Sequence, residues 1–244
     1  GMTAARLPKA GDALKQGVLL LAAFLALVPT LFLMLTALKS DEDYAVNKLG
    51  LPETFVTENF RSVLIDSPFL AWMANSFILV AGAVLLGTIV SCLAAYAIAC
   101  MEFRGRDTLL AASTSLMAVP PIVMIVPLFV LYTQLGLIST YQGAIIIYAG
   151  LITPFSVYLL TTFFRTVPKE LFESAHIDGA GHFLILRKIV LPLSLPALLT
   201  LAVVNSLYVW NDLLIAIIFL QEDAKRTLMA GISVFQGRYN NQVP

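Results

Sequence analysis

Residues 72–100 read WMANSFILVAGAVLLGTIVSCLAAYAIAC, an unbroken run without Lys, Arg, Asp or Glu. A helix needs about 20 apolar residues to cross the hydrocarbon core of a bilayer, so this stretch can span with residues to spare. Four more runs qualify on either side of it, at 17–38, 109–133, 143–164 and 197–220. None of the five holds Lys or Arg, and only the last holds an acid, Asp212. The first run, Gly17 to Leu38, exceeds a signal-peptide core and no small-residue cleavage pattern follows it, so it reads as a retained span. Composition agrees: 59% of the 244 residues are apolar and 12% are charged, against about 25% charged in a soluble domain. The expected fold class is an all-α integral membrane protein with five spans. A formal net charge of zero supplies no basic field for nucleic acid.

Lys and Arg in the connections set the orientation. With the N-terminus inside, nine lie in inner segments and six in outer ones, and the acids divide six to eight. This predicts a cytoplasmic segment 1–16, a transmembrane region 17–220 and an extracytoplasmic segment 221–244. The longest outer connection, 39–71, contains Ser40-Asp41-Glu42-Asp43, which suits a capped short helix, and Thr57-Glu58-Asn59-Phe60, which suits another.

The most informative connection is 166–196. Pro168 suits a helix start because it has no N–H to orphan, and Glu170 and Glu173 follow where the helix dipole favours anions. Gly179 is placed to stop that helix and Gly181 to permit a corner. Phe183 to Val190 resumes helical periodicity before Pro192 and Pro196 break it. Two short amphipathic helices joined by a glycine elbow are therefore expected. On these features alone, a helix pair resting on lipid headgroups explains the segment as well as a mechanical role does.

The same residues carry a resemblance. Glu173-Ser174-Ala175, then Gly179, then Ile189-Val190-Leu191-Pro192 match in type and spacing the signature loop of binding-protein-dependent ABC permeases, with Ser174 in place of the first Ala. Further elements resemble the maltose-type carbohydrate branch: Glu58-Asn59-Phe60, Asn75-Ser76, Phe103-Arg104-Gly105-Arg106, Gly136-Leu137-Ile138-Ser139-Thr140, Ile177-Asp178-Gly179-Ala180 and Trp210-Asn211-Asp212. The resemblance covers about residues 20 to 240. It implies a six-helix permease core, so a sixth helix is expected to be missing after the five runs. It also implies a second permease subunit, ATPase subunits that bind ATP and Mg, and an extracytoplasmic solute-binding protein. On it, residues 166–196 become the coupling loop to the ATPase, with Glu170, Glu173, Ser174, Ala175, Asp178, Gly179, Ala180, Ile189, Leu191 and Pro192 as its working positions. The localisation implied is the inner membrane of a prokaryote. The implied cargo is a sugar or sugar derivative; a polyamine, amino acid or phosphate ester is the alternative, and an ion-gradient-driven transporter a remoter one.

Other chemistry is sparse. No Gly-x-x-x-x-Gly-Lys-Ser/Thr phosphate loop occurs, so no nucleotide hydrolysis and no cofactor are expected of this chain. His176 and His182 stand six apart, the wrong spacing for a helical metal pair, and read as solvated loop residues. Cys92 and Cys100 read as small buried thiols. Asn205, Tyr208 and Asp212 fall at i, i+3 and i+7 of the last run and should form one stripe, with Trp210 and Asn211 beside it. That stripe either lines a solute path or bonds to a neighbouring helix. Pro120, Pro121, Pro127 and Pro154 interrupt two runs and either line a cavity or kink the packing.

Overall fold

The computed structural model describes residues 10–239, with side chains described over 14–234. Among them there are helices and turns and no β-strand. The chain divides into two compact units, 1–68 and 69–244.

In the first unit the apolar run is helical as part of α1, Ala10–Ala37, except for its last residue, Leu38. Ser40 caps α2, Asp41–Val46, as its sequence position requires, accepting from the Asp43 N–H at 3.1 Å. The next helix, α3, spans Glu58–Arg61 and widens into a π turn over Ser62–Asp66. Asn59 on α3 donates to the carbonyls of Ala37 (3.1 Å) and Lys39 (2.8 Å). It thus satisfies orphan acceptors at the C-terminus of α1.

The second unit is built on α4, Phe69–Cys100, packed lengthwise against α7, Tyr141–Phe164. Close approach is possible because small residues face the partner: a Cβ on Gly82 would lie 2.6 Å from Ile145 and one on Gly87 2.8 Å from Ile152. Such small-residue contacts are the usual device of helix association in lipid, where no hydrophobic force drives helices together.

Between α4 and α7 the run 109–133, expected as one span, is broken. It forms α5, Arg106–Ser115, with a 3₁₀ turn to Ala118, and then α6, Pro121–Gln134, at 98° to it. Pro120 and Pro121 are the cause, since the residue before a proline is driven from helical to extended backbone. Val119 and Pro120 have ψ of 114° and 131°.

After α7 come α8, Lys169–Ile177, and α9, His182–Ile185, a π turn over Leu186–Val190, and α10, Leu191–Leu193. The last apolar run is also divided. Its main part, α11, Leu195–Asn211, stands at 77° to the helical stretch before it and stops ahead of Asp212. A six-residue helix, α12, Leu214–Phe219, follows, and a 3₁₀ turn over Asp223–Lys225 leads to α13, Leu228–Tyr239. Among the described residues three helices are each long and apolar enough to cross a membrane, and up to five spans result if each bent pair counts as one. Segment 221–244, expected as an extracytoplasmic segment, contains α13; residues 240–244 lie outside the described residues.

Two core clusters stack along α4 and α7. One, at the end of the unit nearest the 135–140 and 220–227 connections, gathers Leu79, Tyr132, Tyr148, Val209, Ile215 and Phe219. The other, at the end carrying 166–196, gathers Tyr96, Leu160, Phe164, Ala175, Ile185 and Leu201.

Candidate functional site: the 166–196 loop and the broken last helix

Pro168 takes the cap position of α8 with φ −58° and ψ 134°. Glu170 and Glu173 are exposed on the helix, while Ala175 is buried and Phe172 half-buried in the second cluster. Ala175 must be small because it faces that core. Ser174 points outward and donates to the Glu170 carbonyl at 2.8 Å, so a serine there is accommodated without loss.

The helix ends as the glycine demanded. Gly179 sits at φ +78°, a region that costs a residue with Cβ roughly 1–2 kcal/mol. Its N–H donates to the His176 carbonyl (3.0 Å) and the Ala180 N–H to the Ala175 carbonyl (2.9 Å), the paired bonds of a Schellman cap. Ala180 packs on the same cluster as Ala175, and Asp178 is exposed at the tip. Gly181 differs from expectation. Its φ of −76° and ψ of 162° are extended backbone open to any residue, so the corner rests on Gly179 alone.

The second helix of the loop is less regular than its periodicity suggested. Pro192 cannot donate to the Lys188 carbonyl, and the ladder slips by one residue into a π turn. The Leu191 N–H accordingly reaches back to Leu186. Ile189 and Leu191 are half-buried against the second cluster, and the chain bends at Ser194. His176 and His182 are exposed, but they are not independent. The His182 Nδ1 lies 3.2 Å from the Tyr96 hydroxyl, and the two imidazoles meet edge to face at 5.4 Å.

The loop's outward surface is mixed. Ile177 is 85% exposed and Phe183 71% exposed, beside Glu170, Glu173 and Asp178.

The polar stripe of the last run is divided by the helix break. Asn205 is buried on α11 and donates to the Ser156 hydroxyl of α7 at 2.9 Å, a helix-to-helix bond. Tyr208 stands half-exposed on the wall of a cleft of about 640 Å³ between the 3₁₀ turn at 116–118, α6, α7 and α11, and Asn205 lies on the same wall. Met124, Leu128 and Phe155 give that cleft its apolar character, and Pro121 and Pro154 line it. Trp210 packs edge-on against Phe77 at 5.1 Å, and the Asn211 amide returns to the Leu207 carbonyl at 2.7 Å.

Asp212 does not continue the stripe. Its backbone is extended (φ −70°, ψ 131°), so it lies beyond the helix. One carboxylate oxygen accepts from the Tyr148 hydroxyl at 2.8 Å and from the N–H groups of Ile215 at 3.0 Å and Ala216 at 3.3 Å. A carboxylate at membrane depth is expensive unless paired, and here it caps a helix that its own chain break creates. Tyr148 is not singled out by the sequence reading. The available signal was a tyrosine deep in an apolar run, whose hydroxyl needs a buried partner.

Comparison with known proteins gives this geometry its relatives. The sequence profile of the family described as binding-protein-dependent transport system inner membrane component matches residues 83–242. The alpha-glucoside transport system permease protein AglG of Rhizobium meliloti (strain 1021) is 36% identical over 185 residues, 74% of this chain and 49% of that protein. The melibiose/raffinose/stachyose import permease protein MelC of Bacillus subtilis (strain 168) is 34% identical over 230 residues, 93% of this chain and 83% of that protein. Among solved structures, a bacterial ABC transporter involved in import of the acidic polysaccharide alginate has a chain that superposes with a TM-score of 0.76 at 23% identity, over 97% of this chain and 89% of that one. With more than half its length matched, the chain belongs to the family of binding-protein-dependent transport system inner membrane components.

Proposed function

We propose that the chain is the membrane permease subunit of an ATP-driven ABC importer for a sugar or sugar derivative, and that residues 166–196 couple it to the ATPase. One observation carries the coupling role: a loop packed by Ala175, Phe172 and Leu186 onto the spans, which leaves Ile177, Phe183 and three acids outward. Such a loop is fixed to the membrane helices and open to a partner. A thrust on α8 therefore reaches α4, α7 and α11 through packed side chains. The sugar reading is supported by the cargoes named for the alpha-glucoside and melibiose/raffinose/stachyose permeases.

On this reading ATP and Mg are held by partner ATPase subunits, and the chain itself performs no catalysis. A second permease subunit completes the pore, and an extracytoplasmic binding protein delivers solute. Tyr208 and Asn205 are the path-lining candidates, since both lie on the wall of the cleft; Asn205 also joins α11 to α7. The test is uptake of labelled oligosaccharides into vesicles holding the assembled complex and the binding protein. Uptake that needs enclosed ATP and survives an ionophore supports the reading. Uptake that follows an ion gradient without ATP refutes it.

A further inference from the structure

Gly150 has no packing reason to be glycine. On α4, Gly82 and Gly87 must be small because side chains of α7 leave no room, but a Cβ on Gly150 would meet no neighbour within 4 Å. A glycine inside a helix costs about 0.5–1 kcal/mol relative to alanine, so something other than space calls for it. Four residues on, Pro154 has no N–H to give to the Gly150 carbonyl. Nearby hydroxyls do not replace that donor. Thr153 donates to the Ala149 carbonyl at 2.6 Å and Ser156 to the Ile152 carbonyl at 2.7 Å. Gly150 and Pro154 both line the cleft of about 640 Å³. A carbonyl that lacks its helical donor, with no side chain over it, therefore lies on the cleft side of α7. Freed backbone groups at membrane depth persist where protein or a water-filled cavity meets them.

The α11 wall supplies a second acceptor. Asn205 is 2% exposed and borders the same cleft. The one Ser156 hydroxyl proton goes to Ile152, so Ser156 can only accept from Asn205, and the amide must turn its Nδ2 that way. This orientation leaves Oδ1 without a hydrogen-bond partner among the described residues and free to accept. The Tyr208 hydroxyl, also without a hydrogen-bond partner there, stands one turn further along α11. The rings of Tyr132 and Phe155 add aromatic surface. No Lys, Arg, His, Asp or Glu lines the cleft among the described residues. A charged solute would lose its hydration here with no opposite charge to replace it. A sugar would not, because its hydroxyls donate to the two oxygens and its C–H faces pack on aromatic rings. Clefts of roughly 300–1,000 Å³, apolar with a few placed polar groups, are the usual form of small-molecule sites.

We propose that this cleft is a solute subsite for an uncharged sugar unit, with the Gly150 carbonyl and the Asn205 Oδ1 accepting from its hydroxyls. Pro154 frees the carbonyl and Gly150 leaves it uncovered. The subsite deepens the importer reading above and rests on it for how the solute is driven; the binding chemistry is independent of the energy source.

The experiment uses the assembled transporter in lipid nanodiscs, with Cys92 and Cys100 replaced and a reporter Ile146→Cys. Ile146 is half-exposed on the cleft wall, one turn before Gly150, and its replacement leaves both acceptors in place. The rate of reaction with N-ethylmaleimide is followed against rising melibiose, raffinose or trehalose, and against spermidine and glycerol 3-phosphate. At least one of the three sugars should slow the reaction in a saturable way, and neither charged probe should. Leu207→Cys, exposed on α11 but off the cleft wall, should react at one rate throughout. Adding Pro154→Ala returns an N–H to the Gly150 carbonyl and removes that acceptor. Half-protection should then need on the order of tenfold more sugar, the equivalent of one hydrogen bond, while the melting temperature does not fall. Should that variant not assemble, Asn205→Leu removes the other acceptor, leaves Ser156 its bond to Ile152, and reads the same quantity.

A reporter that is unreactive in the assembled complex would mean that another subunit covers the cleft, and would overturn the subsite. So would protection by none of the sugars, equal protection by the charged probes, or half-protection unchanged in Pro154→Ala and Asn205→Leu. Uptake that follows an ion gradient without ATP would instead sink the importer reading, while protection of the reporter would still decide the subsite.

Discussion

Replacing Gly179 by alanine isolates one element of the loop. At φ +78°, with no atom within 4 Å of the point a Cβ would occupy, the substitution meets no steric clash. The whole cost is the left-handed backbone, about 1–2 kcal/mol for a residue with Cβ. That favours alternatives in which the α8 cap opens by a factor of roughly 5–30. When the cap opens, the bonds from Gly179 to His176 and from Ala180 to Ala175 are released together, and α8 loses its fixed angle to α9. The chain should still insert, because none of the spans is touched. ATP-driven uptake and co-purification of the ATPase should fall several-fold. Gly179→Asn should restore part of both, since Asn tolerates this backbone region better. Gly181→Ala should behave as wild type, because its backbone is already extended and the space around it is open. Quantitative pull-down of the ATPase and initial uptake rates, each normalised to the amount of membrane protein, measure the effect. Equal behaviour of Gly179→Ala and Gly181→Ala would refute the reasoning.

Three further outcomes follow from the structure. A cysteine at position 105, with Cys92 and Cys100 replaced, should react with an impermeant reagent only from the inside; labelling from outside would reverse the topology. Asn75→Ala removes two amide bonds to the 224–226 connection and the acceptor of the Tyr141 hydroxyl. It should therefore cost about 2–3 kcal/mol at roughly 1 kcal/mol per bond, read as faster hydrogen exchange confined to 220–228; unchanged exchange would count against the clamp. Gly87→Leu places side-chain atoms where Ile152 lies. It should separate α4 from α7, seen as loss of detergent-stable protein, and a normal melting profile would show that this contact does not carry the packing.

The apolar runs announced the spans because lipid demands about 20 such residues in series, and the structure keeps every run helical for most of its length. Gly179 was equally legible, since only glycine enters the left-handed region freely. The breaks were harder. Pro120 and Pro121 signalled an interruption, yet a 98° bend depends on what α5 and α6 pack against. Asp212 was visible as an acid in an apolar run, and continuing the helix through it placed it on a stripe with Asn205 and Tyr208. Its true surroundings depend on Tyr148, which lies 64 residues away and on another helix. Asn75, Ser76 and Ser139 drew notice only as family-like residues. The connection they hold, through bonds such as Leu228 N–H to the Ser76 hydroxyl at 2.9 Å, cannot be read from local pattern. Local rules reached caps and spans; polar pairs formed across the fold did not show in them.

The most direct test of the central claim is what Ile177 touches. A photoactivatable group on Ile177→Cys, in the Cys92- and Cys100-free chain, reports the neighbour of the loop's most exposed apolar side chain. In membrane vesicles holding the full complex, illumination should join this position to the ATPase subunit and to nothing on the other side of the membrane. Cross-links to lipid alone, in a complex shown to be assembled, would mean that residues 166–196 only rest on the bilayer surface.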